Sequence, residues 1–275
     1  MKHLHIKLQL TALLCLLSAS VFAQQSEELS AAERRPTART LLLGYGRTSQ
    51  LDTYLSPMDY TGMQVSFLAS SERLTRLMDS RLSFQSTLFG AFSSTDNPAG
   101  TASYMGGRID YHAGLHYNYS LLPGLNLKGG GLLGAGVGFL YNNRNGNNPA
   151  QGRLRLGLSL SAGADYRFSI RRLPLRVSYQ ADMPLVGMMF SPEFGESYYE
   201  MSQAGVAHDL LCAYPGNAFS LRQLLTLDFS LRRITLRMGY LNDVQQSNAR
   251  SLKYRDASHS FMLGFLRHFQ LMKRP

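Results

Sequence analysis

The chain has 275 residues, a formal net charge of +10, 44% hydrophobic residues, no Trp and two Cys. Beyond its N-terminal segment it has no apolar run of about 18 residues, which excludes a helical membrane protein, and it is too apolar for a disordered one. Cys212 is the one cysteine outside that segment, so no internal disulfide framework is expected.

Residues 1–23 read as a secretory signal. Lys2 and Lys7 are basic, Leu8 to Phe22 is apolar, and Val21-Phe22-Ala23 is a small-residue cleavage site before Gln24. Cys15 follows Leu14, not the small residue that a lipoprotein site wants. Residues 24–39 are polar, with Glu27, Glu28, Glu33, Arg34 and Arg35, and are expected to form a short periplasmic leader.

From Thr40 the dominant period is two, the period of a strand with unlike faces. Weaker examples come first: Leu41 to Thr48, Tyr60 to Ala69 and Leu82 to Phe92. In Arg108 to Tyr119, Ile109, Tyr111, Ala113, Leu115, Tyr117 and Tyr119 alternate with Arg108, Asp110, His112, Gly114, His116 and Asn118. Leu125 to Tyr141 follows. The clearest case is Arg153 to Phe168, where Leu154, Leu156, Leu158, Leu160, Ala162, Ala164, Tyr166 and Phe168 oppose Arg153, Arg155, Asp165 and Arg167. Leu173 to Asp182 sets Leu175, Val177, Tyr179 and Ala181 against Arg176, Ser178, Gln180 and Asp182. Leu224 to Leu231, Ile234 to Tyr240 and His259 to Phe269 complete about ten strands, many longer than the roughly 5–6 residues usual in soluble sheets.

Long and short connections alternate, as an up-and-down meander requires. The long ones are expected at Asp52 to Asp59, Ser93 to Ser103, Asn142 to Gln151, Pro184 to Ser220 and Asn242 to Ser258. The charged face also holds Lys128, Asp228 and Arg237. In a small soluble barrel the apolar face points inward, and in a membrane barrel it faces lipid. The secretory signal, the strand lengths and aromatic residues at strand ends (Tyr104, Tyr117, Tyr119, Phe139, Tyr141, Tyr166, Phe168, Tyr240, Phe265 and Phe269) favour the second. The expectation is an all-β, antiparallel, up-and-down transmembrane barrel over residues 40–275, in the outer membrane. It has about ten strands, or twelve if the loop 184–220 holds a hairpin near Val206 to Ala213. The polar set Arg108, Asp110, His112, His116, Arg153, Arg155, Asp165, Arg167, Arg176, Asp182, Asp228 and Arg237 then lines the lumen as a paired network, since unpaired buried charges are costly.

Long stretches resemble a family of secreted, predicted outer-membrane barrel proteins of unknown function from Bacteroides-type bacteria. The resemblance rests on Leu51-Asp52-Thr53-Tyr54-Leu55-Ser56-Pro57, on residues 141–151 (Tyr141 to Gln151), and on residues 190–200 (Phe190 to Glu200). It continues in Leu225-Thr226-Leu227-Asp228-Phe229 and Ser258-His259-Ser260-Phe261. It implies the architecture and the location, and no activity.

Each candidate chemistry has a structural reading beside it. His112 and His116, four residues apart on a strand, lie about 13 Å apart at roughly 3.3 Å per residue, too far to share one ion. Gly129-Gly130-Gly131 and Gly134-Ala135-Gly136-Val137-Gly138 lack the strand–turn–helix context of a dinucleotide loop, and small residues inside a wall let neighbouring side chains pack. A lipid hydrolase needs Ser and His together at the rim. Ser191, Ser197, His208, Asp209 and the pair His259 and Ser260 are the candidates, with no convincing cluster. Asn142, Arg144, Asn145 and Asn147 form an Asn- and Gly-rich external turn, read first as turn chemistry and second as a ligand loop. Phe190, Phe194, Tyr198 and Tyr199, with Met188 and Met189, mark the loop 184–220 as an aromatic-rich lid.

The reading favours a non-enzymatic barrel with a plugged or narrow lumen over a lipid hydrolase or a small selective channel. No cofactor and no nucleic acid are implied. The expected partners are outer-membrane lipids and lipopolysaccharide, the barrel-insertion machinery during biogenesis, and a glycan or protein at the external loops. Arg171, Arg172, Arg232, Arg233, Lys273 and Arg274 are expected at the inner interface with anionic lipid.

Overall fold

The computed structural model describes residues 37–78, 81–146, 148–171, 173–204, 206–230 and 234–269. The secretory signal, residues 24–36, Asn147, Arg172, Arg232, Arg233, Lys273 and Arg274 lie outside the described residues.

Among the described residues eleven strands follow one another: β1 (Thr37–Asp52), β2 (Ser56–Leu74), β3 (Leu82–Asp96), β4 (Ser103–Leu122), β5 (Leu125–Asn142), β6 (Ala150–Ile170), β7 (Leu173–Phe190), β8 (Leu210–Ala213), β9 (Ser220–Ser230), β10 (Thr235–Ala249) and β11 (Leu252–Phe269). A short helix α1 (Tyr198–Ala204) and a 3₁₀ turn (Val206–Asp209) precede β8. Among the described residues, ten strands close an antiparallel ring. Each pairs with its sequence neighbour, β7 with β9, and β1 with β11 from Thr37↔Phe269 to Asp52↔Tyr254. Closure pairs nearly all of the sheet edge, which a strand in hydrocarbon requires.

The two faces separate as the two-residue period demands. Leu154, Leu156, Leu158 and Leu160 stand outward and half-exposed on β6, and Leu41, Leu43 and Tyr45 do so on β1. Asp110, His116, Asp165, Asp228, Asp243 and Asp256 are buried within the ring. The inner face is not purely polar. Leu42, Leu68, Phe89, Leu241 and Met262 form one buried apolar cluster, and Leu55, Tyr60, Ala102, Tyr104, Leu140 and Tyr254 form another. Tyr104, expected in the outer aromatic belt, instead points inward and stacks on Tyr60 with ring centroids 3.6 Å apart.

Several strands outrun their predicted ends. The connection expected at Asp52 to Asp59 is a turn over residues 53–55, and the one expected at Asn242 to Ser258 shrinks to Arg250 and Ser251, both at positive φ. β7 continues past Pro184 to Phe190, so the long segment expected at 184–220 is shortened to 191–219. A bulge explains the difference: Leu158 pairs with Val186 and Ser159 with Pro184, which leaves Leu185 as an extra residue. One extra residue reverses the alternation and hides the strand from a period-two reading. The hairpin that would have made twelve strands is absent from the ring. Leu210–Ala213 pairs with Gly187–Phe190 alone.

The glycines of β5 have unequal surroundings. A Cβ at Gly129 meets open space, whereas one at Gly130 falls 1.9 Å from the Leu115 carbonyl oxygen and 2.8 Å from the His116 Cα. Gly130→Ala should therefore cost about 1–3 kcal/mol, and Gly129→Ala should stay within about 0.5 kcal/mol of the parent. Urea unfolding of the reconstituted protein measures both, and equal midpoints for the two variants would contradict the backbone approach.

Candidate functional site

The lumen carries its charges in pairs, some between neighbouring strands and some between strands that share no ladder. Near the end that carries the long segment, Arg153 of β6 binds Asp52 of β1, and its guanidinium lies 3.9 Å from the Tyr254 ring centroid. Midway, Arg108 of β4 reaches Asp243 of β10 at 2.9 Å and Asp256 of β11 at 4.0 Å. Arg222 of β9 bonds Asp110 of β4 at 2.6 Å and Asp243 at 2.8 Å. The Phe89 ring lies beside both guanidinium groups, 5.1 Å from Arg108 and 4.4 Å from Arg222. Toward the opposite end, Lys128 of β5 bonds Glu72 of β2 at 2.7 Å and Asp165 of β6 at 3.1 Å. Arg176 adds a bond to Asp165 at 2.8 Å, and Arg237 holds Asp228 through two bonds of 2.6 and 2.7 Å. β1 and β6 lie opposite one another in the ring, as do β4 and β10, so Arg153–Asp52 and Arg108–Asp243 cross the lumen.

His112 and His116 part company here. The His112 ring fills the space over Gly134, with Cδ2 2.5 Å from where a Cβ would stand. His116 is buried, its Nε2 2.8 Å from the Ser161 hydroxyl, and that hydroxyl in turn donates to Asp182. Ser, His and Asp are present, but the carboxylate contacts the serine and not the histidine. A nucleophile relay needs the acid on the far side of the imidazole, so this arrangement is a buried hydrogen-bond chain. Arg155 donates to the Ser220 hydroxyl at 2.8 Å. Arg167 stands exposed near the inner end of β6.

The hydrolase candidates do not assemble. His259 and Ser260 sit inside β11, not at a loop end, and point to opposite faces, His259 exposed and Ser260 buried. Ser197 is bound to Glu200: its N–H and its hydroxyl both donate to the Glu200 carboxylate. Those two bonds, the backbone one first, hold Glu200 below its ordinary pKa. Asp209 is buried and bound to Arg250 at 2.8 Å, and Arg250 also donates to the His208 and Ser191 carbonyls. Among the described residues no group of three or more His, Cys, Asp or Glu could hold a metal ion.

The segments at the long-loop end of the ring are tied to one another. Asn142 accepts from the Arg144 N–H at 3.0 Å, and Asn145 donates to the Leu55 carbonyl at 2.8 Å. Tyr198 is joined to Ala150, accepting from its N–H at 2.6 Å. Tyr54 donates to the Glu196 carbonyl at 2.7 Å. Phe194 and Tyr199 remain exposed, while Phe190 is half-buried at the end of β7. Asp52, Glu72, Arg222, Asp243 and Asp256 complete the lumen pairs and were not among the expected network. Asp52, Asp243 and Asp256 fell in stretches read as loops, and Arg222 fell just outside the predicted strand.

A family model described as "Protein of unknown function (DUF3316)" matches residues 8–275, and the chain belongs to that family. No curated protein matches it. Among solved structures it is similar to the outer membrane protease OmpT from Escherichia coli, at 7% identity over 88% of this chain and 99% of that one, with a TM-score of 0.46. It is also similar to the transport unit of the autotransporter AIDA-I from Escherichia coli, at 10% identity over 86% and 92%, with a TM-score of 0.40. Neisserial surface protein A matches at 9% identity over 83% and 97%, with a TM-score of 0.33.

Two outcomes follow from the geometry. Arg108→Ala leaves Asp256 with Thr48 as its remaining close partner and should destabilise the barrel by about 3–5 kcal/mol. Arg255→Ala removes a half-exposed pair with Asp59 and should cost about 0–1 kcal/mol. Comparing the temperatures at which the two variants unfold in detergent tests the contrast. Separately, burial, then Tyr198 and Glu196, push the Tyr54 phenol up from 10.0 to about 12. The raised value makes its contribution to loop anchoring complete below pH 10 and lost as the pH rises through about 12. Ultraviolet titration of the parent against Tyr54→Phe should show one missing phenol near the upper value.

Proposed function

We propose that the protein resides in the outer membrane as a non-enzymatic barrel with a closed, charge-paired lumen, covered externally by residues 191–219. The observation that carries this reading is the set of ion pairs joining opposite strands: Arg153 to Asp52 and Arg108 to Asp243. An ion crossing the lumen would have to displace guanidinium–carboxylate pairs in a region of low dielectric, where each is held strongly. Barrels of about eight strands are filled by side chains, and wide aqueous channels need about 16–18. A ring of ten belongs near the filled end.

The apolar outer wall supports a lipid surrounding, and lipopolysaccharide and phospholipid are its expected neighbours. The barrel-insertion machinery is the expected partner during assembly. Exposed Phe194 and Tyr199 on the external segment suit a glycan or protein partner. The role is structural support of the envelope or surface binding.

Purified protein run in SDS unheated should migrate apart from the boiled sample, as closed membrane barrels do. In planar bilayers it should give no stepwise conductance. Regular openings would overturn the closed lumen and turn the reading to a small channel. Absence of a gel shift, with recovery in a detergent-free fraction, would overturn the membrane placement.

A further inference from the structure

β7 meets two different strands on the same side. Leu175–Asp182 pair with Phe229–Arg222 of β9, and Gly187–Phe190 pair with Ala213–Leu210 of β8. Between these ladders, Met183 to Val186 have no paired strand on that side among the described residues. The chain that would cover them turns away instead. The Asn217 and Phe219 carbonyls accept from Asn248 and Gln246 of β10, both at 2.8 Å. Pro184 sits in this unpaired stretch, and proline has no N–H to lose at a sheet edge. The backbone wall is therefore parted here between β7 and β9.

Behind the parting lies a cavity of about 90 Å³. Arg155, His112 and Ser220 line it from the lumen, and Pro184, Val186 and Met188 line it from the wall. Val186 and Met188 are half-exposed on the outer face, so one space touches both the lumen charges and the apolar exterior. Arg155 is distinctive within the lumen. Arg108, Arg153, Arg176, Arg222 and Arg237 each have a carboxylate within 4.0 Å. Arg155 has the Ser220 hydroxyl and the edge of the Tyr254 cluster, 5.7 Å to the ring centroid. The carboxylates that also line the cavity are already engaged: Asp110 by Arg222, Asp243 by Arg108 and Arg222, and Asp182 by Ser161 and Gln180.

We propose that this parting is a lateral binding site for a single-chain anionic amphiphile. Its carboxylate or phosphate head bonds Arg155, and its acyl chain leaves between β7 and β9 to lie along Val186 and Met188. A charge-assisted bond to a guanidinium fixes the head, and the chain stays in an apolar surrounding throughout. The site goes beyond the closed-lumen reading. It rests on that reading's membrane placement and needs no passage along the barrel axis.

The test uses the full chain in micelles and a dansyl-labelled undecanoic acid as probe. The parent should bind it saturably, and Arg155→Gln should weaken binding about tenfold or more while Arg155→Lys keeps most of it. The methyl ester of the probe, which lacks the charge, should not compete. Acetate at equal concentration should not compete either. Displacement by acetate would make this a simple anion pocket and overturn the amphiphile. Equal affinity of parent and Arg155→Gln would overturn the site. Ala213→Trp narrows the parting and leaves Arg155 in place. Should Arg155→Gln fail to fold, unchanged affinity in Ala213→Trp overturns the proposal on its own. The unheated gel shift, read on every sample, reports the membrane placement separately.

Discussion

An arginine inside a narrow barrel cannot be solvated by bulk water, and moving its charge from water costs several kcal/mol even after relaxation. Here that cost is offset by carboxylates reaching from the opposite wall: Asp52 to Arg153, Asp243 to Arg108, and Asp110 to Arg222. Everything else about the barrel depends on these contacts. They let a wall with an apolar exterior carry a dense set of charges on its inner face. They also bind strands that share no backbone ladder, so the ring is held across its diameter as well as around its circumference. Phe89, set between Arg108 and Arg222, fills what the ion pairs leave open.

The same chemistry organises the outer rim at larger scale. Arg250 in the β10–β11 turn binds buried Asp209 and two carbonyls of the external segment. Tyr54, Asn145 and Tyr198 join the neighbouring turns to it. These bonds fix the long segment after β7 at several points along its described residues. The parting between β7 and β9 lies where that segment begins. The bulge at Leu185, the proline before it and the diversion of residues 214–221 toward β10 are one local event seen from three sides.

The inward and outward faces were legible in the sequence wherever the alternation ran unbroken. β4 and β6 have the faces read from residues 108–119 and 153–168. Strand ends were not legible, because strands that pass beyond the apolar band lose the contrast between their faces. Ser49, Gln50 and Asp52 continue β1 with polar residues on both sides, and Asn242 to Ala249 does the same for β10. That is why Asp52, Asp243 and Asp256 were assigned to loops and missing from the expected network. The hydrolase pair His259 and Ser260 failed because the last strand begins at Leu252, which puts both residues inside it, and adjacent residues of a strand face opposite ways.

The sequence by itself determined the class of fold and, along the unbroken alternations of β4 and β6, which side chains face inward, because both follow from a period of two that is set by backbone geometry. It also determined that the lumen must hold charges of both signs. The tertiary structure alone decided which arginine meets which aspartate, that Arg155 meets none among the described residues, and that the wall parts beside it. Those facts depend on ring closure and on the register of strands distant in the chain, and no local pattern encodes either.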